Sequence, residues 1–250
     1  FHSLPYEYPQ LSKDAAAAAT LVVEVDNAPA KLDEPDPDEP TVVRWGEHIE
    51  GARLPKLADA ETLGKGRGFR GYARRPKKLA DAKVIHLAYT PAMHMPDDDT
   101  FMENPPAIRD QVRTLRRWAP NATFRVAPIT LDSPYPRPGP DPRGTTAFAG
   151  AWAARMVKYV ALAGVDEAGF ADLPGAQPVL KRLAAHAHAP VHATGVAPHG
   201  PVDALAVEAA AGRLVWLINK TGAPRPVRLE GREDRIVLQP YEVRKVPIGD

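Results

Sequence analysis

The sequence predicts an α/β fold of the (β/α)-barrel type, with only part of an eight-fold barrel, followed by a small C-terminal antiparallel β domain. Three short apolar runs lie about forty residues apart, at Lys83–Tyr89, Thr123–Pro128 and Val165–Ala171, and each is typical of a strand. Between them, Pro106–Ala119 and Thr145–Ala163 carry apolar residues at helical spacing. Alternating strands and helices indicate a parallel sheet.

The length of the chain argues against a closed barrel. A (β/α)8 barrel takes about 250 residues, whereas residues 1–189 hold about four or five units at the observed spacing. Leu21–Val25, Val42–Trp45 and Gly68–Tyr72 are weaker strand candidates in this part. Because the chain begins at Phe1 rather than Met, we expect residues 1–189 to be the C-terminal units of a barrel whose missing N-terminal part is a partner.

Residues 190–250 are expected to form an all-β domain. After a last helical segment, Leu180–Ala189, the chain changes to short alternating segments separated by turn residues. Trp216 alternates with apolar neighbours there, so we expect it in the core of this domain. The predicted strands are Asp203–Glu208, Gly212–Ile218, Pro226–Leu229, Arg235–Leu238 and Tyr241–Val246.

Composition excludes several functional classes. The 250 residues carry 32 Lys+Arg and 31 Asp+Glu, a net charge of +1, so no overall charge draws the protein to nucleic acid or to a membrane surface. The absence of cysteine excludes disulfides, thiolate nucleophiles and cysteine-ligated metals. No apolar run reaches the roughly 18 residues of a membrane span, and residues 1–10 lack the pattern of a signal peptide. We therefore expect a cytoplasmic location.

Two patterns suggest ligands but fit a plainer interpretation. Gly66–Gly71 matches G-x-G-x-x-G, which binds pyrophosphate only where it opens a helix. Pro76 leaves no room for a helix, so we expect a Gly-rich strand or loop with solvated arginines. Without an H-E-x-x-H pattern, the C-terminal histidines are expected to be polar surface residues, and neither a metal nor a cofactor is predicted. These histidines are His186, His188, His192 and His199.

The stretch Thr90–Asn104 is the most informative, because it follows the first predicted strand directly and precedes a helix. In barrels and open α/β sheets, the carboxyl ends of the strands carry the chemistry. His94 lies near Asp97 and Asp98, and a histidine held by a carboxylate is suited to general acid–base catalysis. The alternative is that an aspartate here caps the following helix, the role that we expect for Asp99.

The ends of the next two predicted strands supply further candidates. Asp132 follows the second strand and Asp172 the third. A Pro-rich loop after Asp132 ends at Arg143, which is suited to orient a polar substrate, although a surface ion pair is the commoner role of an arginine. We assign His94, Asp98 and Asp132 to catalysis. Substrate binding is assigned to Tyr89, Asp97, Glu103, Arg143 and Asp172.

Several of these segments resemble the D-apionate lactonase family, sugar-acid lactone hydrolases with a glycosidase-like (β/α)8 barrel and a small C-terminal β domain. Arg125–Leu131 and Asp141–Trp152 resemble a strand and the following helix of that family, and the resemblance covers roughly residues 60–250. Gly144 and Asp172 depart from the family pattern, which has glutamine and glutamate there. The family stretch NPQVHAFDDASLVEN is matched at Pro91, His94, Asp97, Asp98, Glu103 and Asn104.

The resemblance implies a carbohydrate-active hydrolase that opens a sugar-acid lactone, with a small carbohydrate or such a lactone as its partner. In this hypothesis, Asp98 or Asp132 activates water against the lactone carbonyl, and His94 donates a proton to the oxyanion or the leaving alkoxide. One alternative is a glycoside hydrolase with two carboxylates, for which Asp132 and Asp172 are suited. Another is a non-catalytic carbohydrate-binding relic of a barrel, which dispersed side chains would favour.

Overall fold

Four parallel strands build the α/β part of the protein, as seen in a computed structural model that describes residues 38–91, 97–132, 139–196, 200–210 and 212–248. The strands at 84–89, 123–129 and 167–170 confirm the three predicted ones, whereas the strand at 56–59 was not predicted. The described residues thus contain half of an eight-fold barrel, as the sequence predicts. The spatial order is β2 (Lys56–Asp59), β5 (Glu167–Phe170), β4 (Thr123–Ile129) and β3 (Val84–Tyr89).

Helices follow these strands at nearly the predicted positions. The described helices are α1 (Ala60–Leu63), α2 (Phe69–Ala73), α3 (Asp98–Glu103), α4 (Pro106–Trp118), α5 (Ala147–Leu162) and α6 (Gln177–Ala184). On α4, Ile108, Val112 and Leu115 form the single buried stripe expected of an amphipathic helix. In contrast, α5 is buried on nearly every side, because it packs between neighbouring helices and the second sheet.

The second sheet has seven strands within the described part of the chain. Its order is β10 (Arg235–Leu238), β9 (Arg225–Leu229), β1 (Thr41–Arg53), β6 (Pro190–Gly195), β7 (Val202–Ala209), β8 (Gly212–Asn219) and β11 (Val243–Ile248). The C-terminal antiparallel domain predicted from sequence is therefore present. It also contains β1, which pairs antiparallel with β6 and parallel with β9. The domain boundary between residues 189 and 190 stays a prediction. A boundary there would leave β1 in the α/β part, although β1 pairs with strands of the β domain.

Both faces of β7 and β8 are buried, and their alternating residues belong to two different cores. Ala204 and Leu217 lie in a cluster internal to the β domain. Leu205 and Trp216, one residue away on the same strands, lie in the cluster shared with the α/β part. Side chains alternate between the two faces of a strand. The continuous apolar sequence of β7 and β8 therefore supplies side chains to both cores and packs the β domain against the α/β part. Trp216 is fully buried at that junction.

One face of the parallel sheet packs on helices, and α1 lies against the other face at β5. A Cβ added at Gly169 of β5 would lie 3.0 Å from atoms of both Ala60 and Leu63 in α1. At the opposite edge, Arg67 forms a parallel bridge with Leu87 of β3. In a closed barrel the remaining strands would lie across from this face.

The predicted strand at Gly68–Tyr72 is wrong, because Phe69–Ala73 forms the short helix α2. Its aromatic residues lie three positions apart, a helical spacing. Phe69 stacks on Trp118 at 6.5 Å between ring centroids, and the Tyr72 hydroxyl donates to the His86 carbonyl at 2.7 Å. These contacts with α4 and β3 outweigh the low helix propensity of a Gly-rich segment.

Candidate active site

A cleft of about 840 Å³ opens at the carboxyl ends of β3 and β4. This volume is within the range of small-molecule sites, and the position is where α/β barrels carry their chemistry. Gly139 and Pro140, the described end of the Pro-rich loop, form part of its wall. The described lining residues are Arg67–Gly71, Ala88–Thr90, Gln111, Pro128, Thr130, Asp132, Gly139 and Pro140.

The segment Gly66–Gly71, called the strap below, runs along this cleft. The Gly66 N–H donates to the Ala127 carbonyl at 2.8 Å, and the Arg67 N–H donates to the His86 carbonyl at 2.8 Å. A Cβ at position 66 would lie only 2.4 Å from the Ala127 carbonyl oxygen, so this close approach requires glycine. Arg67 and Arg70 are exposed, as the sequence predicts for solvated arginines, whereas the strap backbone bonds to β3 and β4.

Asp132 is the candidate catalytic residue that the structure places in the cleft lining. Its Oδ1 accepts the Asp141 N–H at 3.1 Å, and its own N–H donates to Thr130 Oγ1 at 3.0 Å. The Asp132 carbonyl accepts the Thr90 hydroxyl at 2.9 Å. These bonds tie the ends of β3 and β4 together and hold the carboxylate half-buried at the cleft.

Tyr89 also lines the cleft, but its side chain is nearly buried. Its hydroxyl donates to the Asn104 carbonyl at 2.8 Å. Burial raises the pKa of this hydroxyl, so Tyr89 stays protonated and holds the end of α3 against β3.

Asp97, rather than Asp99, caps helix α3. Its carboxylate accepts the Thr100 N–H at 2.8 Å and the Thr100 hydroxyl at 2.7 Å, and these bonds hold the Asp97 pKa below its usual range. The expectation that Asp99 is the cap is therefore wrong by two residues. The Asp97 carboxylate is thus already engaged with the helix. Substrate binding by Asp97 stays a prediction.

Arg143 joins two carboxylates beside the cleft. Its Nε and Nη2 donate to Asp141 at 2.8 and 2.6 Å, and its Nη1 donates to Asp98 at 2.8 Å. The guanidinium carbon lies 4.0 Å from the ring centroid of Phe101, a cation–π geometry. The hydrogen bonds that Arg143 donates to Asp141 hold the Arg143 pKa above its usual value. The guanidinium is thus already paired with two carboxylates. A direct contact between Arg143 and a substrate stays a prediction.

Tyr241 of the β domain, which the sequence analysis did not single out, reaches the same cluster. Its hydroxyl donates to Asp98 Oδ2 at 3.2 Å, and its ring packs edge-on against Phe148 at 5.1 Å between centroids. Burial and the Asp98 charge both raise the Tyr241 pKa. Only the proximity of β11 to α5 brings this tyrosine here, so no local sequence signal marks it.

The other predicted site residues lie apart from the cleft or outside the described residues. Glu103 pairs with Lys220 of the β domain at 2.5 Å. Asp172 is exposed and is absent from the described lining of the cleft. His94 lies outside the described residues, so its role stays a prediction. The structure thus places Asp132 and Tyr89 at the cleft and Asp98 in the adjoining ion-paired cluster.

Of the four C-terminal histidines, His199 lies outside the described residues, and His192 departs from expectation. His192 is buried rather than on the surface, with Nδ1 at 3.2 Å from the Gly46 carbonyl and Nε2 at 3.0 Å from Glu208. Within the described part of the chain, no three side chains of the types that ligate metals come together. No helix there is long and apolar enough to cross a membrane.

Comparison with family models decides the relationship of this chain. Residues 69–211 match the model of the D-apionate lactonase TIM barrel domain, and residues 199–246 match that of the D-apionate lactonase C-terminal immunoglobulin-like domain. The chain belongs to the D-apionate lactonase family. The resemblance seen in the sequence is thereby confirmed, as are the partial barrel and its C-terminal β domain. No match is found among curated protein sequences.

Two solved structures of longer chains show low similarity to this one. CelM2, a bifunctional glucanase-xylanase from a metagenome library, is 11% identical with a TM-score of 0.43 over 71% of this chain and 44% of its own. A 4-O-alpha-L-rhamnosyl-beta-D-glucuronidase from Fusarium oxysporum 12S is 12% identical with a TM-score of 0.48 over 68% of this chain and 43% of its own. This D-apionate lactonase family member therefore spans less than half the length of either enzyme.

Proposed function

We propose that this chain is a carbohydrate-active hydrolase that opens a sugar-acid lactone in the cleft at the ends of β3 and β4. The observation that carries the proposal is the Asp132 carboxylate, held at that cleft by the Asp141 N–H at 3.1 Å. Membership of the D-apionate lactonase family supports a lactone as the substrate class. The proposed reaction uses water and proton transfer.

In the proposed mechanism, Asp132 acts as a general base. It accepts a proton from a water molecule whose oxygen attacks the lactone carbonyl, and a tetrahedral oxyanion forms. When this intermediate collapses, the bond from the carbonyl carbon to the ring oxygen breaks, and the alkoxide takes a proton. His94 remains the predicted donor of that proton. The products are one carboxylate and one free hydroxyl group on the same open-chain sugar acid.

Arg143 supports this mechanism through Asp141 rather than through the substrate. Its two hydrogen bonds at 2.8 and 2.6 Å hold the Asp141 side chain, and the Asp141 N–H holds Asp132. The third bond, from Nη1 to Asp98 at 2.8 Å, connects the start of α3 to the same chain of contacts. In this mechanism Asp98 is a positioning residue, and Asp132 carries the proton transfer.

The test is turnover of a panel of aldonolactones by the purified full chain, with acid release followed in a pH-stat. We expect Asp132→Asn to lower kcat by about 10²–10⁴-fold, the usual contribution of a general base, while its amide oxygen still accepts the Asp141 N–H. Asp81→Asn is the matched control, because Asp81 is exposed and precedes the opposite end of β3. Equal rates for wild type and Asp132→Asn would refute the assignment of the base.

The two alternatives predict different results in the same assay. Two-carboxylate glycoside hydrolysis by Asp132 and Asp172 requires both groups at one anomeric carbon, and Asp172 is not part of the described cleft lining. Release of reducing sugar from an aryl glycoside, lost in both Asp132→Asn and Asp172→Asn, would favour that function. Sugar binding without any turnover would favour a non-catalytic relic.

A further inference from the structure

The strap places two arginines along the cleft. Arg67 and Arg70 both line the cleft, and neither forms an ion pair within the residues that the structure describes. Arg143, by contrast, is paired with Asp98 and Asp141. Against these two cations, the described lining holds one carboxylate, that of Asp132.

The first and last glycines of the strap hold Arg67 in this position. Gly66 lies too close to the Ala127 carbonyl for any side chain, and a Cβ at Gly71 would lie 2.7 Å from the Arg67 Cγ and Cδ. The Arg67 backbone is bound on both sides to β3, through the His86 carbonyl and the Ala88 N–H at 2.8 and 3.1 Å. The cation is therefore attached to the strand whose end forms the cleft.

The rest of the described lining is largely apolar. Phe69, Pro128 and Pro140 present apolar surface beside Arg67 and Arg70, which are exposed and therefore accessible to a dissolved anion. Guanidinium groups bind carboxylates through paired hydrogen bonds. The cleft therefore combines apolar walls, which suit the C–H faces of a sugar, with cations that suit a carboxylate.

We propose that the strap is a carboxylate-binding element, in which Arg67, assisted by Arg70, binds the carboxylate of an open-chain sugar acid. This inference rests on the proposed function, because ring opening of a lactone creates such a carboxylate in the cleft. It predicts that the protein binds an aldonate more tightly than an uncharged sugar of the same length, and that the acid product inhibits turnover.

The test is calorimetric binding of ribonate and of ribitol, which differ only by a carboxylate against a hydroxymethyl group. We expect wild type to bind ribonate at least about tenfold more tightly than ribitol, the size of one charge-assisted hydrogen bond. Arg67→Ala should remove that difference, and Arg67→Lys should restore part of it. Arg75→Ala is the matched control, because Arg75 is an exposed arginine close to the strap in sequence and outside the cleft lining.

Each result decides the proposal. Equal affinity of wild type for ribonate and ribitol, no binding of ribonate, or equal losses in Arg67→Ala and Arg75→Ala would overturn it. Tight competition by inorganic phosphate with no preference for ribonate would overturn it in favour of a phosphate site. Melting temperatures close to wild type show that each variant is folded. Because binding is measured without turnover, Arg67-dependent ribonate binding in a protein that hydrolyses no lactone would support the strap and refute the proposed function.

Discussion

The buried carboxylate of Asp203 connects the β domain to helix α5, and its removal tests how the two parts are held together. Asp203 lies on β7 and is 3% exposed. Its oxygens accept Arg155 Nε at 2.7 Å and Lys158 Nζ at 2.5 Å. The two cations are three positions apart on α5 and therefore share a face of that helix. We expect Asp203→Ala to leave Lys158 buried without a carboxylate partner and Arg155 with only the longer contact to Glu103 at 3.9 Å.

The magnitude of this effect follows from burial and from the Asp203 pKa. Burial alone raises the pKa, but Lys158 and Arg155 outweigh burial and lower it from 3.8 to about 2. At 1.36 kcal/mol per pH unit, this corresponds to about 2 kcal/mol of stabilisation of the ionised form. Removal of one partner from a buried ion pair costs more, about 3–5 kcal/mol, because a charge stays buried without compensation.

Urea denaturation at neutral pH, followed by circular dichroism, measures the change in unfolding free energy caused by Asp203→Ala. The control is Glu230→Ala, which breaks an ion pair with Arg44 of similar length, 2.8 Å, at side-chain exposures of 54% and 66%. An exposed pair contributes about 0–1 kcal/mol. Equal losses of unfolding free energy in the two variants would refute the reasoning. Because the Asp203 pKa is lowered, its contribution is complete above pH 3.8 and is lost as the pH falls through about 2.

Two further predictions concern the contact of the β domain with α3 and the polar face of β3. Tyr241→Phe keeps the edge-on contact with Phe148 and loses one exposed hydrogen bond to Asp98, so it should cost less than about 1 kcal/mol in urea denaturation. Tyr241→Ala should cost clearly more, and similar losses in the two variants would contradict this account. Burial and the nearby Arg125 lower the His86 pKa below 6.5, so protonation of His86 favours the unfolded chain. The unfolding free energy of wild type should therefore fall relative to His86→Gln as the pH drops below 6.5, and a constant difference from pH 8 to 5 would contradict it.

Much of the architecture is predictable because it depends on local patterns. The strands at 84–89 and 123–129 are apolar runs of strand length, and α5 is a long apolar segment that ends before Gly164. The position of Asp132 at a cleft also follows from sequence, since residues at the carboxyl ends of neighbouring parallel strands come together. Predicting these features requires only the spacing of apolar side chains along the chain and the rule that the carboxyl ends of parallel strands meet at one edge of the sheet.

The errors arise where a distant contact decides between local alternatives. Gly68–Tyr72 has the glycine content of a loop or weak strand, but contacts with Trp118 and His86 make it a helix. Asp97 and Asp99 are both suitable caps, and only the backbone direction at the start of α3 selects Asp97. The early strand β1 pairs with β6 and β9 across more than 130 residues of sequence, a pairing without a local signal.

The sequence by itself determined the α/β character, the partial barrel, the C-terminal β domain and the family, because periodicity and short motifs are properties of neighbouring residues. Only the tertiary structure decided which charges are paired. Arg143 is engaged by two carboxylates, whereas Arg67 and Arg70 line the cleft without an ion-pair partner among the described residues. The pairing of a charge depends on which side chains of distant segments meet in space. For this reason we propose the strap, rather than Arg143, as the carboxylate site.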